Sequence, residues 1–162
     1  MVSFLSLALL ASSTLASPLL PRQVDIPENW DWQVTNWEAG CSRSGCYYHF
    51  NLTVPSINNQ LGVLASCRGY EQGYDNSFTI PSVYEDCTTL AGRNNRAAAK
   101  LGPRVHDGNG FGPKEIWVSF SYEAAEGAPT YNWSGPHEAK YNQFVSPPLN
   151  FTMTATEVFG VL

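Results

Sequence analysis

The chain has 162 residues, of which 13% are aromatic and only 14% are charged, and its formal net charge is −5 at pH 7. An acidic chain repels phosphate backbones and anionic lipid surfaces, so neither nucleic acid nor a membrane is expected as a partner. This length allows one domain with a sizeable core, predicted over residues 23–162, and does not allow two.

Residues 1–16 have the pattern of a secretory signal peptide. A short apolar run ends at Ala11, and small residues then predict cleavage after Ala16. The run is too short to cross a bilayer of about 30 Å, which needs roughly 20 apolar residues. Residues 17–22, which end at Arg22, are interpreted either as a propeptide or as an untethered leader. The mature chain is therefore predicted to be secreted and extracellular.

Alternation of apolar and polar residues predicts antiparallel strands along the rest of the chain. Asn36-Trp37 interrupts the first alternation and predicts a bulge or a strand end. The expected fold class is all-β, a single antiparallel β-sandwich or β-barrel domain. The apolar residues expected to face its core are Trp30, Trp32 and Val34; Tyr48, Phe50, Leu52 and Val54; Val63, Ala65 and Cys67; Ile116, Val118, Phe120 and Tyr122; and Phe151, Met153 and Ala155.

Glycine and proline mark two predicted loops, residues 102–113 and 127–148. The segment 93–101, which precedes the first of these loops, could form either two helical turns or a strand, and its pattern does not separate the two. As a helix it would place Arg96 and Lys100 on one face with Arg93. Such a basic patch could meet an acidic partner or a cell-wall polyanion, with an ordinary solvated face as the alternative.

The four cysteines predict two disulfides. An even count in an extracellular chain indicates paired cysteines, for which three connectivities exist. Cys41 and Cys46 flank a turn sequence, whereas Cys67 and Cys87 bracket a loop whose closure stabilises the fold by about 3 kcal/mol. Cys41–Cys46 and Cys67–Cys87 are therefore the favoured pairs. The spacings match no zinc ribbon or finger, so no metal is expected there.

Three sequons, at Asn51, Asn132 and Asn150, predict N-glycans, which require surface asparagines. The strand alternation independently places Asn51 and Asn150 on polar faces. The two interpretations therefore support each other at these positions.

No catalytic constellation is found. The sequence contains no Gly-X-Ser-X-Gly elbow for a serine nucleophile. A carboxylate pair, Glu85 and Asp86, abuts a cysteine in a predicted turn, where solvated side chains are the simpler interpretation. His106-Asp107 and His137-Glu138 lie in predicted loops and have no suitably spaced third ligand for a metal. Catalysis, a metal and a cofactor are therefore not expected.

Trp117 is the first candidate for a binding residue. Its neighbours on the strand are expected to face the core, so alternation points Trp117 outward together with Ser119 and Ser121. An exposed tryptophan on a sheet face often marks a binding surface. Coverage of the ring by another segment is the alternative. Trp133, within the predicted loop 127–148, is a second and weaker candidate.

The order of these elements resembles the major Alternaria allergen family of small secreted fungal β-barrel proteins. The segments that carry the resemblance are Trp32–Trp37, Cys46–Asn51, Leu64–Cys67 and Tyr84–Cys87, after a leader that ends in Arg22-Gln23. The resemblance implies a non-catalytic secreted protein, with relatives that act as allergens or as effectors and elicitors recognised by plants, some of them binding thaumatin-like defence proteins. The chain departs from the family because it lacks the disulfide near the C-terminus. It also has no cysteine left over after the two predicted pairs, so a covalent dimer is not expected.

Three hypotheses for function follow. The first is an effector-like or allergen-like protein that binds a host or environmental extracellular protein. The second is a module that binds cell-wall carbohydrate, because the chain is rich in tryptophan and tyrosine. The third is a small secreted hydrolase whose residues the sequence does not reveal.

Overall fold

The computed structural model of the chain describes residues 25–42, 45–72, 83–92, 94–103, 112–123, 130–143 and 147–161. The predicted signal peptide, residues 17–22, Arg93 and the segment with His106 lie outside these ranges. The described residues form ten strands and no helix, which confirms the all-β prediction. The strands are β1 (Asp31–Ser42), β2 (Gly45–Val54), β3 (Val63–Gln72), β4 (Glu85–Asp86), β5 (Thr88–Ala91), β6 (Arg96–Leu101), β7 (Glu115–Glu123), β8 (Thr130–Glu138), β9 (Leu149–Thr154) and β10 (Glu157–Val161).

The strands form two five-stranded antiparallel sheets. The first sheet has the order β5-β3-β2-β1-β9, and the second has the order β10-β8-β7-β6-β4. Buried side chains from both sheets belong to one hydrophobic cluster, so the sheets face each other across a shared core. Within the described ranges the strand ladders do not close into a barrel. Of the two expected architectures, the sandwich therefore describes this fold.

At two places the chain passes from one sheet to the other within one or two residues. Cys87 lies between β4 in the second sheet and β5 in the first, and its N–H donates to the carbonyl of Ala97 at 2.9 Å. Ala155 and Thr156 lie between β9 and β10, and the Thr156 N–H donates to the Ser134 carbonyl at 2.8 Å. Strands that switch sheets in this way make the corners of many β-sandwiches.

A cluster of aromatic rings joins the sheets. Trp30 and Trp32, at the start of β1, meet Phe120 of β7 and Trp133 of β8, with the Trp30 ring 5.7 Å from Phe120 and 5.4 Å from Trp133. A second link is polar, because the buried Tyr48 hydroxyl of β2 donates to the Ala99 carbonyl of β6 at 2.7 Å. Both links cross from the first sheet to the second.

The predicted irregularity in β1 is a β-bulge. The pairing of β1 with β2 shifts register between Thr35 and Glu38, and Asn36 has φ of 55°. Asparagine tolerates this left-handed conformation better than most residues. The extra residue lets Trp37 face the core on the same side as Val34, and the Asn36 N–H donates to the Asn150 side-chain oxygen at 3.0 Å.

Beyond the bulge a side chain replaces a strand as the partner of β1. The last residue of β1 that pairs with β9 is Trp37. There the buried Asn142 amide takes over: its Oδ1 accepts from the Ala39 N–H at 3.0 Å, and its Nδ2 donates to the Trp37 carbonyl at 3.1 Å. The amide thus makes the two bonds that a peptide group makes in a ladder.

The prediction of a loop over residues 127–148 is wrong for residues 130–138, which form β8 and include Gly135 and Pro136. Gly135 permits close approach of the corner between β9 and β10, because a Cβ there would clash with the Thr154 carbonyl oxygen. Pro136 lies beyond the last residue of β8 that pairs with β10, Ser134, so its missing N–H leaves no gap in that ladder.

The open question over residues 93–101 is settled in favour of a strand. β6 buries Ala97, Ala99 and Leu101 against the core and turns the residues between them outward. The helical alternative is wrong because the alanines alternate with a period of two and not with helical spacing. Arg96 and Lys100 still share a face, but it is a sheet face.

Both disulfide predictions are confirmed. Cys41 lies directly opposite Cys46 in the hairpin of β1 and β2, and the two are bonded. Cys67 of β3 is bonded to Cys87, so this bridge ties the first sheet to the segment that crosses between the sheets.

We expect Asn142→Asp to lower the free energy of unfolding by about 1–3 kcal/mol. The carboxylate can still accept from the Ala39 N–H, but it replaces the N–H donor to the Trp37 carbonyl with an oxygen, so two acceptors face each other. Urea unfolding of the refolded protein measures the change. The control is Asn150→Asp, which retains the only atom that Asn150 uses toward Asn36 and should change stability little. Equal losses in the two variants would contradict the role of the Asn142 donor.

Burial, and to a smaller extent Glu85, raises the pKa of the Tyr48 hydroxyl above its usual value. Unfolded tyrosine ionises near pH 10, so the contribution of Tyr48 is complete below about pH 10 and is lost as the pH rises further. Tyr48→Phe should therefore reduce the decline of stability between about pH 10 and about pH 11, as followed by urea unfolding. Tyr70→Phe, at an exposed tyrosine, should leave the decline unchanged.

Candidate functional site

The outer face of the second sheet combines several residues that the sequence singled out. Residues at even positions of β7 face the core, so Trp117 and Ser119 point away from it, as predicted. Ser119 lies opposite Ala98 of β6 on one side and opposite Ser134 of β8 on the other. Small side chains thus occupy the middle of this face.

Larger side chains surround this middle strip and produce a groove, here called the outer groove. It consists of two adjoining cavities of about 300 and 510 Å³, which share Tyr84, Ser134 and Phe159 in their walls. Ligand sites in proteins commonly occupy about 300–1,000 Å³. Other residues of the smaller cavity include Asp86, Arg96, Ser119, Ser121 and Asn132, and those of the larger include Lys100, Glu115, Trp117 and Glu157.

The floor of the outer groove is a network of hydrogen bonds. Ser119 Oγ donates to Asn132 Oδ1 at 2.6 Å, and Asn132 Nδ2 donates to Ser121 Oγ at 3.2 Å. Ser134 Oγ donates to Glu157 Oε2 at 3.3 Å. These bonds hold the floor side chains in fixed orientations before any ligand arrives.

Aromatic rings and a cation form one wall of the outer groove. The Lys100 ammonium lies 4.5 Å above the Tyr84 ring and 6.0 Å from the Trp117 ring, within the range of cation–π attraction. The Trp117 indole N–H donates to Glu115 Oε2 at 3.0 Å. Of the five tryptophans, all of them described, only Trp117 is not buried.

Tyr84 remains protonated at neutral pH. Burial raises the pKa of its hydroxyl most, a hydrogen bond with Ser134 lowers the pKa, and the Glu157 charge raises it. The net direction is upward, so the hydroxyl can both donate and accept. It reaches the same Ser134 and Glu157 that close one side of the floor.

Trp133 is buried on a strand and not exposed in a loop, which corrects the position on which its candidacy as a binding residue depended. It lies on β8 with its ring fully buried among Trp30, Phe120 and Tyr131. The glycine and proline that follow it suggested a loop, but they belong to the strand.

The three sequons lie in different surroundings. Asn51 and Asn150 lie on the first sheet, with Asn150 exposed, and their glycosylation remains a prediction. Asn132 lies half-buried on the outer face of the second sheet, and its amide is bonded on both atoms within the floor of the outer groove.

Sequence reasoning missed Tyr84, Glu157 and Phe159. In β10, Val158 packs against the core and its neighbours do not. This alternation could have predicted from the sequence that Glu157 and Phe159 face outward. Tyr84 precedes a strand of only two residues, which is too short to carry any periodic pattern.

The described part of the chain brings no three histidine, cysteine or acidic side chains close enough to hold a metal ion. His137 instead stacks on Phe151, with ring centroids 4.1 Å apart. Within the same residues, no helix is long and apolar enough to span a membrane.

Comparison of the chain with models of known protein families, with curated proteins and with solved structures finds no match.

We expect the secreted protein to carry no glycan at Asn132, because a sugar on Nδ2 would stand among the side chains of the groove floor. Glycopeptide mass spectrometry of protein secreted from a eukaryotic host measures occupancy at each sequon. The exposed Asn150 serves as the internal reference for sequon use. High occupancy at Asn132 in folded protein would contradict this expectation and would mean that the groove is filled by the chain's own glycan.

Proposed function

We propose that this chain is a secreted, non-catalytic binding protein of the effector or allergen type, and that the outer groove is its binding site. The observation that carries the proposal is the groove itself, in which the half-buried Trp117 and Tyr84 flank a hydrogen-bonded floor. Aromatic residues held in fixed orientation are the usual anchors of binding sites.

An extracellular location is supported by two disulfides in a small β-sheet protein. It is also supported by the predicted signal peptide. The resemblance to the allergen family favours a host or environmental extracellular protein as the partner.

The arrangement of carboxylates supports binding over hydrolysis. Glycosidases use two carboxyl groups about 5–9.5 Å apart. Asp86 and Glu157 lie on β4 and β10, the opposite edges of the second sheet, which are four strand spacings of about 4.8 Å apart along the sheet. Glu85 and Asp86 are adjacent on one strand, so they point to opposite faces. Neither of these two pairs therefore supports the hydrolase hypothesis.

Capture from plant extracellular fluid tests the proposal. Refolded wild-type protein is immobilised, and the proteins that it retains from the fluid are identified. They are compared with the proteins retained by immobilised Trp117→Ala and Phe159→Ser, two variants changed at the outer groove. The matched control is Leu90→Ala, which removes an exposed apolar side chain from the first sheet.

The expected result is a specific partner retained by the wild type and by Leu90→Ala and depleted about tenfold on both groove variants. Circular dichroism confirms that each variant is folded. Absence of any retained partner across several hosts, or equal retention by all four proteins, would refute binding through the outer groove.

A further inference from the structure

We propose that the ligand of the outer groove is a neutral oligosaccharide. This inference rests on the proposed function and names the chemistry that the groove recognises. The ligand is either part of a cell-wall polysaccharide or a glycan carried by a host glycoprotein, because both present the same sugar rings.

The walls of the groove suit the flat faces of sugar rings. A pyranose ring carries C–H groups on its faces, and these pack against aromatic rings that a polar ligand otherwise avoids. Phe159 is 53% exposed, and Trp117 is half-buried. Because the Trp117 indole N–H is already bonded to Glu115, the ring is fixed in orientation.

The floor of the groove suits the hydroxyl edges of sugars. Its groups are the hydroxyls of Ser119, Ser121 and Ser134, the Asn132 amide and the Glu157 carboxylate. A sugar hydroxyl donates and accepts at once, as serine does, and can join such a network. The floor groups already bond to one another, and what they offer a ligand is their remaining capacity, such as the second carboxylate oxygen of Glu157, which an apolar ligand could not use.

The charges of the groove favour a neutral sugar over a charged one. Asp86, Glu115 and Glu157 are interspersed with Arg96 and Lys100, which leaves an excess of one negative charge. An acidic polymer such as a polyuronate would meet three carboxylates as well as the two cations. Lys100 is in addition engaged with two aromatic rings. Arginine and carboxylates in this arrangement serve as hydrogen-bonding partners for hydroxyls.

The other described cavity with polar lining fits a sugar less well. It measures about 160 Å³ and lies beside His137, Glu138, Lys140 and Asn150. His137 and Phe151 already stack on each other there, and Lys140 pairs with Glu138 at 3.6 Å. This volume lies below the range of about 300–1,000 Å³ that ligand sites commonly occupy.

Titration with defined sugars tests the inference. Refolded protein without glycans is titrated with hexamers of β-1,4-glucose, β-1,3-glucose, N-acetylglucosamine, xylose and mannose, and with oligogalacturonate as the acidic comparator. Calorimetry measures affinity, and the part of the tryptophan fluorescence change that is lost in Trp117→Ala reports on Trp117.

The expected result is saturable binding of at least one neutral hexamer, weakened about tenfold by Trp117→Ala and by Phe159→Ser and unchanged by Leu90→Ala. Failure of every neutral hexamer to bind, tighter binding of oligogalacturonate, or binding that both groove variants retain would overturn the inference.

Two further arms separate the sources of the sugar and keep the two proposals distinguishable. Sedimentation with insoluble glucan, chitin and cellulose detects a cell-wall ligand. Enzymatic removal of N-glycans from the extracellular fluid before capture detects a glycoprotein ligand. If the groove captures a protein that no sugar displaces and that deglycosylation does not affect, the binding function stands and the oligosaccharide inference falls. If neither a protein nor a sugar binds, both fall.

Discussion

Contacts among four aromatic rings hold the two sheets together. Among the described residues, the sheets share no hydrogen-bonded strand. Trp32 lies on the first strand and Trp30 directly precedes it, whereas Phe120 and Trp133 come from the central strands of the second sheet. Their edge-to-face contacts fix the distance between the sheets and the rotation of one against the other. Burial of each large apolar side chain contributes roughly 1.5–3 kcal/mol. Everything on the outside of the second sheet is positioned by this contact.

The outer groove is the reverse side of that aromatic core. Ser119 is adjacent in sequence to Phe120, and Ser134 is adjacent to Trp133, so floor and core alternate along the same two strands. Because strands are stiff and neighbouring side chains point to opposite faces, the tightly packed core holds the groove floor in place. The hydrogen bonds among the floor side chains then fix their orientation. The groove therefore exists without a ligand to organise it.

The strands with regular alternation, an irregularity at Asn36-Trp37 and the Cys41–Cys46 pair could be predicted because each depends on residues near one another in the sequence. The Cys67–Cys87 pair, with a sequence separation of 20, was predicted as well. Prediction failed at Trp133, where the period-two pattern is masked by Gly135 and Pro136, whose places depend on the ends of other strands. The groove could be predicted only in part. Trp117 follows from local alternation, whereas its meeting with Tyr84 and Phe159 depends on strand order, which no local pattern contains.

The two short crossings between the sheets have a consequence for behaviour at high concentration. Cys87 connects β4 to β5, and Ala155 and Thr156 connect β9 to β10, and these four strands form the edges of the two sheets. Because the chain leaves one sheet for the other at these points, the four edge strands have only 2, 4, 5 and 6 residues. Long open edges recruit strands from other molecules and start aggregation. Short edges that bend away at a corner offer a poor template for such growth. The path of the chain thus protects against cross-β assembly.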